Sequence, residues 1–557
     1  FKARWLAIKL LENDEDLRAR LDSAGYHGLI EAVDQASARI LAQADEDAET
    51  LITDRRYHFI GEVVHGAVNR AAAARETGSD RVDRIVTHPI WGVPVFLLLM
   101  WLVFQFTANV SAPFLGWVGN LISGPVTDGA LALIGAVGLG GTWFEALIVD
   151  GVIAGVGGVV VFVPVLFFLY TAVAVLEDSG YLARSALVMD RVMRLIGLHG
   201  KSFLPLMVGF GCNVPAIYAT RTLEDAEDRR RTAFLTTFMS CGARLPVYVL
   251  FGAAFFGGHA GNLIFAMYLL GIAVALVTGL AMRYIIYRNK PPQPLVLELP
   301  PYRMPNWRNV SSQVWQRTAA FLHNAATLIL ACSMVIWFLL ALPVGRGKGG
   351  FDDVPVGDSV FGSLSRRIAP ALAPAGFGSW EAAGSLITGF VAKEAVVGTM
   401  NLIYVEETNG SVPEDGTQVR ASFREDVEEI VTSFGDAVIL TAQEVVNILP
   451  HTVNLIPGVN VPQANWLNRS STTDTHDLQH ALTAAFAVTA GSTQKGRLAA
   501  VAFTVFVLLY VPCMASVAAM RHEFGARWMT YQILYMLGVA WVMSVIVYQG
   551  GLLLGMG

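Results

Sequence analysis

The sequence predicts an all-α fold: a polytopic helical membrane protein with two half-repeats that contain broken or re-entrant helices, preceded by a small soluble helical module. Three observations predict it. Of 557 residues, 54% are hydrophobic and 15% charged, where a soluble chain carries roughly 25% charged residues; the mean hydropathy is +0.50. Apolar runs close to the ~20 residues that span a bilayer recur along the chain. Two pairs of these runs are interrupted by Gly and Pro in similar places.

The first element is polar. Residues 1 to about 85 lack a spanning run, and segments such as Trp5–Leu11 and Leu29–Val33 place apolar residues at helical spacing, with Asn13-Asp14-Glu15-Asp16 as punctuation between helices. The chain enters this module directly from Phe1, with no basic, apolar and small-residue signal pattern, so a further segment is expected upstream. The spanning runs are Ile90–Val110, Ala146–Leu176, Phe203–Ala219, Ala233–Phe256, Leu263–Ile286, Ala319–Leu342, Ala382–Tyr404, Leu498–Met520 and Tyr531–Leu554.

Charge sets the orientation, because Lys and Arg collect on the cytosolic side. Arg221, Arg229, Arg230 and Arg231 form one cluster; Arg283, Arg288, Lys290, Arg303, Arg308 and Arg317 form another. Both are expected in the cytosol, with Arg521–Arg527 and with Arg81 and Arg84 beside the first span. The acidic insertion at 405–495 is expected outside. Phe203–Ala219 conflicts with a simple crossing. It has Arg191, Arg194 and Lys201 before it, Arg221 after it, and Gly209, Gly211 and Pro215 within. A hairpin that enters and leaves from the cytosol satisfies both flanks, and broken backbone at membrane depth is tolerated where protein or a water-filled cavity surrounds it. Treating both broken hairpins as re-entrant leaves seven spans and an external C-terminus; making the second cross places the C-terminus inside.

An internal echo accompanies the breaks. Leu206-Met207-Val208-Gly209-Phe210 matches Leu386-Ile387-Thr388-Gly389-Phe390, and Ser240-Cys241-Gly242-Ala243 matches Pro512-Cys513-Met514-Ala515. Paired interrupted segments in two halves point to a midplane binding site. The domain division that follows is 1–85, 86–342 and 343–557.

Three of the four cysteines lie at the breaks: Cys212, Cys241 and Cys513. The fourth, Cys332, lies in an ordinary apolar helix. Four cysteines in apolar stretches make no disulfide framework, and for a single one the plain reading is a small buried hydrophobe. Three in one Gly/Pro context point instead to soft ligands facing a cavity, which favour transition metals over Mg²⁺ or Ca²⁺. Ionisable residues in these segments are costly at the bilayer centre. Glu394 is the first carboxylate candidate to meet a cation, with an ion pair to Lys393 or Arg244 as its structural alternative. Glu177 is a second candidate, with the membrane interface as its alternative. Asn213 and backbone carbonyls could complete a coordination shell.

Other motifs are set aside. Gly200-Lys201-Ser202 resembles the end of a phosphate-binding loop, but Leu195 stands where G-x-x-x-x-G-K-[ST] needs glycine. Asn289-Lys290-Pro291-Pro292 fails as a guanine motif. His476 and His480, four apart, read as a solvated helix face before a metal site. The net charge of −6 argues against nucleic acid as a partner.

The runs Leu176–Tyr181, Gly197–Phe203, Gly209–Ala216, Ala219–Glu224, Ser240–Tyr248, Lys393-Glu394 and Val511–Cys513 together resemble the membrane domain of FeoB-type ferrous iron transporters. The resemblance runs from the N-terminal module to the last span and is densest between 150 and 250. It implies two gate halves forming a path for Fe²⁺ across the bacterial inner membrane. It also implies an N-terminal G domain, absent from this chain, that would bind GTP and Mg²⁺ and carry the only enzymatic activity. The expected metal set is Cys212, Cys241, Cys513, Glu394, Asn213 and Glu177. Expected partners are the bilayer, Fe²⁺, a small cytosolic protein of the FeoA type and further copies of the chain. The rivals are a nucleoside-type transporter sharing the gate architecture, which three cysteines disfavour, and a signalling receptor, which broken ionisable segments disfavour.

Overall fold

The computed structural model describes residues 3–44, 47–67, 78–88, 90–257, 260–286, 300–344, 351, 354–406, 423–453, 462, 464 and 476–555. The chain forms two compact units, Phe1–Arg81 and Val82–Gly557.

The first unit contains α1 (Ala3–Leu11), α2 (Glu15–Ser23), α3 (His27–Ala44) and α4 (Ala48–Ala67). The acidic punctuation acts as read: Asn13 turns the chain in the left-handed region (φ 56°), and the Asp14 carboxylate accepts from the Leu17 amide at 3.1 Å, capping α2. Leu10 and Val33 are buried, and Glu12 pairs with Lys9 (3.0 Å) and Arg56 (2.6 Å).

The membrane unit follows α5 (Gly78–Val86). Its first part comprises α6 (Gly92–Leu121), α7 (Thr127–Ala136), α8 (Trp143–Ala146), α9 (Ala154–Val161), α10 (Val163–Asp178) and the amphipathic α11 (Tyr181–Leu195). Two short helices come next, α12 (Phe203–Gly211) and α13 (Asn213–Ala219), then α14 (Ala226–Thr236), α15 (Leu245–Phe256), α16 (Ala260–Ala281) and α17 (Trp307–Ala341). The second half repeats the order with α18 (Val360–Leu372), α19 (Trp380–Val391), α20 (Ala395–Asn401), α21 (Phe423–Val453), α22 (His476–Ala490), α23 (Thr493–Leu509) and α24 (Met514–Leu553). Five stretches among the described residues are long and apolar enough to cross a membrane: Gly92–Ala136, Trp143–Asp178, Ala260–Ile285, Trp307–Ala341 and Thr493–Leu553. The last is interrupted at 510–513 and again at Gly525 (φ 84°).

α23 lies at the centre. From Leu498 onward it is apolar all round and almost wholly buried, the pattern of a helix surrounded on every side. Phe503 stacks on Phe251 of α15 at 5.0 Å and meets Phe377 edge-on at 5.3 Å.

The two short-helix pairs are hairpins. In the second, Thr399 Oγ1 donates to Thr388 Oγ1 at 2.9 Å across eleven residues, which a continuous helix would hold about 16 Å apart. Its ends also meet, Tyr404 hydrogen-bonding with Ser379. In the first, Lys201 before α12 pairs with Glu224 after α13 at 2.9 Å. Both segments therefore return to the level at which they began, and the re-entrant reading of Phe203–Ala219 stands.

The hairpins open to opposite faces. Arg221, at the end of the first, pairs with Glu523 of α24 just before the Gly525 kink. From there α24 runs 24 residues, about 36 Å, to Gln549. Its Nε2 donates to the Pro374 carbonyl beside the second hairpin at 2.8 Å.

The acidic insertion at 405–495 contains α21, which lies along α6: Trp117 Nε1 donates to the Ile430 carbonyl at 3.1 Å and Phe434 packs on Trp117. Asp436, Glu444 and Asn447 hid this helix from an apolar-run reading. Residues 407–422, 454–461, 463 and 465–475 lie outside the described residues, as do Arg288, Asn289, Lys290, Pro291 and Pro292.

Candidate functional site

The sequence echo is a structural repeat in register. Cys212 separates α12 from α13 as one extended residue (φ −152°, ψ 130°), and Ala392, 180 positions on, closes α19 with nearly the same angles (φ −145°, ψ 130°). In each half a crossing helix is broken beside that tip. α14 ends at Thr236 and resumes after Cys241 (φ −77°, ψ 161°). α23 ends at Leu509 and resumes after Cys513 (φ −57°, ψ 157°). Three of the four breaks thus carry a cysteine. The fourth carries Ala392 followed by Lys393-Glu394.

Glycine makes the hairpins close enough for this. A Cβ at Gly389 would lie 2.4 Å from Val396 Cγ2 and 2.5 Å from the Tyr510 hydroxyl; one at Gly211 would lie 2.4 Å from Leu169 Cδ2. The tips are therefore pressed against α10 and against the break in α23–α24.

Broken helices leave carbonyls without amide partners, and side chains satisfy them. Arg244, fully buried, donates to the carbonyls of Met239 (3.0 Å) and Thr237 (3.3 Å). Lys393, also buried, donates to Val511 at 2.7 Å and sits over the Tyr510 ring, 3.0 Å from its centroid. Asn213, in the register position of Lys393, turns its amide nitrogen to the carbonyls of Gly209 (3.0 Å) and Thr236 (3.2 Å). Each hairpin tip is thereby tied to the broken helix of its own half.

The halves meet at the cysteines. Cys212 lies close enough to Cys513, Cys241 and Glu394 to interact electrostatically with each, and Cys513 likewise with Cys241 and Glu394. Cys212 and Cys513 pack in one cluster with Val214, Ala515 and Ala519. Cys513 Sγ is 3.3 Å from Ser516 Oγ. Among the described residues, no three His, Cys, Asp or Glu side chains converge as a closed metal cluster. The site brings its donors within reach without gathering them into a preformed shell.

Glu394 makes no salt bridge among the described residues, the N–H groups of Lys393 and Arg244 going to carbonyls; its carboxylate accepts from its own backbone amide and feels the Lys393 charge. Glu177 is not brought to the cysteines. It pairs with Arg317 at 3.0 Å near the end of α10, about two turns beyond Tyr170, the α10 residue that neighbours Cys212. Cys332 interacts with none of the other cysteines. His480 is exposed on α22, while the His476 side chain lies outside the described residues. Sequence reasoning missed Ser516 and Tyr510. Ser516 was available as a hydroxyl three residues past Cys513, on the first turn of a helix, whereas Tyr510 carries no signal apart from the break.

Comparison with known proteins agrees with this architecture. The Gate family model, described as nucleoside recognition, matches residues 159–255 and 322–527. The model for the ferrous iron transport protein B C terminus matches 264–317, and that for the FeoB cytosolic helical domain matches 1–69. The chain is 33% identical over 594 residues to a Fe(2+) transport protein A/Fe(2+) transporter FeoB fusion protein of Porphyromonas gingivalis, covering 99% of this chain and 61% of that protein. It is 32% identical over 553 residues to the Fe(2+) transporter FeoB of Staphylococcus aureus (99% and 70%), and 33% identical over 557 residues to that of Shigella flexneri (98% and 66%). The chain thus spans between 61% and 70% of the length of these relatives. No solved structure matches it. With the gate model covering more than half of the chain and these relatives matching it almost end to end, the chain belongs to the FeoB family of ferrous iron transporters.

Proposed function

We propose that this chain forms the membrane path for uptake of Fe²⁺ across the bacterial inner membrane, with Cys212, Cys241 and Cys513 as ligands along it and Glu394 as the balancing charge. The observation that carries this reading is the position of three cysteines at three of four backbone breaks, where the two halves meet. Soft sulfur donors suit Fe²⁺ better than Mg²⁺ or Ca²⁺. Lys393 and Arg244 direct their N–H donors to freed carbonyls, which leaves the Glu394 carboxylate without a salt bridge among the described residues and able to face the ion. Because the donors are near one another but not closed around a point, coordination completes only as one half moves against the other.

In this reading the face carrying Arg221, Arg229 and Glu523 is cytosolic, as is the N-terminal module, and the C-terminus is external. The domains are the module at 1–85 and the gate halves at 86–342 and 343–557. Movement is driven by a GTP- and Mg²⁺-binding domain outside this chain, and a small FeoA-type protein assists, as the fused relative suggests. A nucleoside substrate is disfavoured: these relatives are Fe(2+) transporters by name.

The test is Fe²⁺ uptake in iron-starved cells expressing the complete protein, with Cys212, Cys241 and Cys513 each changed to Ser and Cys332→Ser as control. At equal membrane abundance, uptake collapses in at least two of the three and persists in the control. Undiminished uptake in all three moves the path to carboxylates and carbonyls.

A further inference from the structure

Away from the cysteines, the basic face carries an open depression of about 530 Å³ lined by Asp190, Arg191, Arg194, Leu195 and Arg283. Two elements build it. α11 supplies Arg191, Arg194 and Leu195 from its exposed stripe, and the turn Met282–Ile286 after α16 supplies Arg283.

The charges do not cancel. Arg194 pairs with Asp190 at 2.6 Å, and the other oxygen of that carboxylate accepts from the Gly200 amide at 3.1 Å. Arg283 lies across the end of α11, donating to the carbonyls of Arg194 (3.1 Å) and Leu195 (2.7 Å). Arg191 is exposed and has no partner among the described residues. Three guanidinium groups face one carboxylate, a surplus of about two charges before the partial negative end of α11 is counted. Guanidinium forks match phosphate oxygens in geometry and are more weakly hydrated than ammonium groups.

The rim of the depression is apolar. Leu195, Tyr284 and Ile285 are each at least 63% exposed, and Leu187 lies two turns before Leu195 on the same stripe of α11. An aqueous phosphate site has no use for such a rim, whereas an acyl chain would cover it. α11 is amphipathic, and the depression belongs to the same face as Lys201 and Arg221: Arg231 of α14 donates to the Gly197 carbonyl just past α11 at 3.1 Å.

We propose that this depression binds the phosphodiester headgroup of an anionic phospholipid at the basic face of the membrane. Basic pockets between helices on this side recognise such headgroups, each Lys or Arg near the surface contributing about 1 kcal/mol, which corresponds to roughly fivefold in affinity. The site is independent of the iron path.

The experiment reconstitutes the full chain in nanodiscs of phosphatidylcholine containing a graded fraction of phosphatidylglycerol and measures lipid retained through detergent extraction by mass spectrometry. Phosphatidylglycerol is expected to be retained over phosphatidylcholine. Arg191→Gln should lower retention roughly fivefold, Arg191→Gln with Arg194→Gln by tenfold or more, and Arg367→Gln, on α18 at the other face, should change nothing. Arg191 makes no contact that folding needs, so the single variant carries the test if the double variant misfolds. Equal retention in wild type and Arg191→Gln overturns the site. Displacement of the lipid by about 10 mM inorganic phosphate overturns the lipid assignment in favour of a free phosphate.

Discussion

The Lys393 ammonium donates to the Val511 carbonyl at 2.7 Å, tying the tip of the second hairpin to the break in the central crossing helix. Asn213 does the same for the first half through Thr236 at 3.2 Å. A cation in one half and an amide in the other thus play the same part. Each satisfies carbonyls that the breaks release, in a solvent that offers no water to do so. Lys393→Met should therefore cost about 2 kcal/mol through the orphaned carbonyl. Thermal unfolding in detergent would show a lower midpoint, and Lys393→Asn, which copies the first half, should recover part of it.

The contact between Arg221 and Glu523 joins the first hairpin to the last helix. Arg221 Nε donates to both carboxylate oxygens, at 3.0 and 3.1 Å, and Arg229 approaches the same carboxylate at 3.5 Å. Glu523→Arg should place three cations together and abolish Fe²⁺ uptake by the complete protein. Adding Arg221→Glu should restore uptake only partly, since Arg229 would still face the new arginine. A double-mutant cycle on unfolding should give a coupling of about 1 kcal/mol.

Gly389 has no space for a methyl group between Val396 and Tyr510. Gly389→Ala must push the second hairpin off the break, at about 1–3 kcal/mol for overpacking. Uptake should fall with it. An unchanged melting midpoint and full uptake would show that the hairpin is not held this tightly.

Glu224 closes the first hairpin with Lys201. Hydrogen bonding to Lys201 and the attraction of its charge hold the Glu224 carboxyl below the usual glutamate range. A carboxyl lowered on folding contributes stability above its unfolded-state value and loses it as pH falls through the folded one. The closure should thus be constant from pH 8 to about pH 5 and fail only in stronger acid. Because the carboxylate is exposed, the pair is screened by salt. The ratio of labelling rates at Cys212 in wild type and Glu224→Gln, in which the pH dependence of the thiolate cancels, would check this; a ratio that changes between pH 7 and 5 would contradict it.

Much of the fold was legible because lipid imposes simple rules. Apolar runs gave the crossing helices, arginine clusters gave the face at which Arg221, Arg229 and Glu523 meet, and the two basic flanks of Phe203–Ala219 were enough to call for a hairpin. α21 was not legible. Its Asp436, Glu444 and Asn447 interrupt the apolar run, yet Ile430 and Phe434 meet Trp117 of α6, and a helix packed against protein needs no continuous apolar run.

For the site, the sequence by itself pointed to three of the four breaks, because Gly or Pro beside Cys212, Cys241 and Cys513 disfavours a continuous helix; the fourth, at Ala392, has neither beside it. The sequence also carried the echo of Leu206–Phe210 at Leu386–Phe390, whereas the match of Cys212 with Ala392 came from their backbone angles. Only the tertiary structure decided which charges remain available. Lys393, Arg244 and Glu394 look alike in sequence as costly intramembrane ions. Their roles separate once the freed carbonyls of Val511, Met239 and Thr237 are placed, because a buried carbonyl claims the nearest side-chain donor and leaves the carboxylate only its own backbone amide.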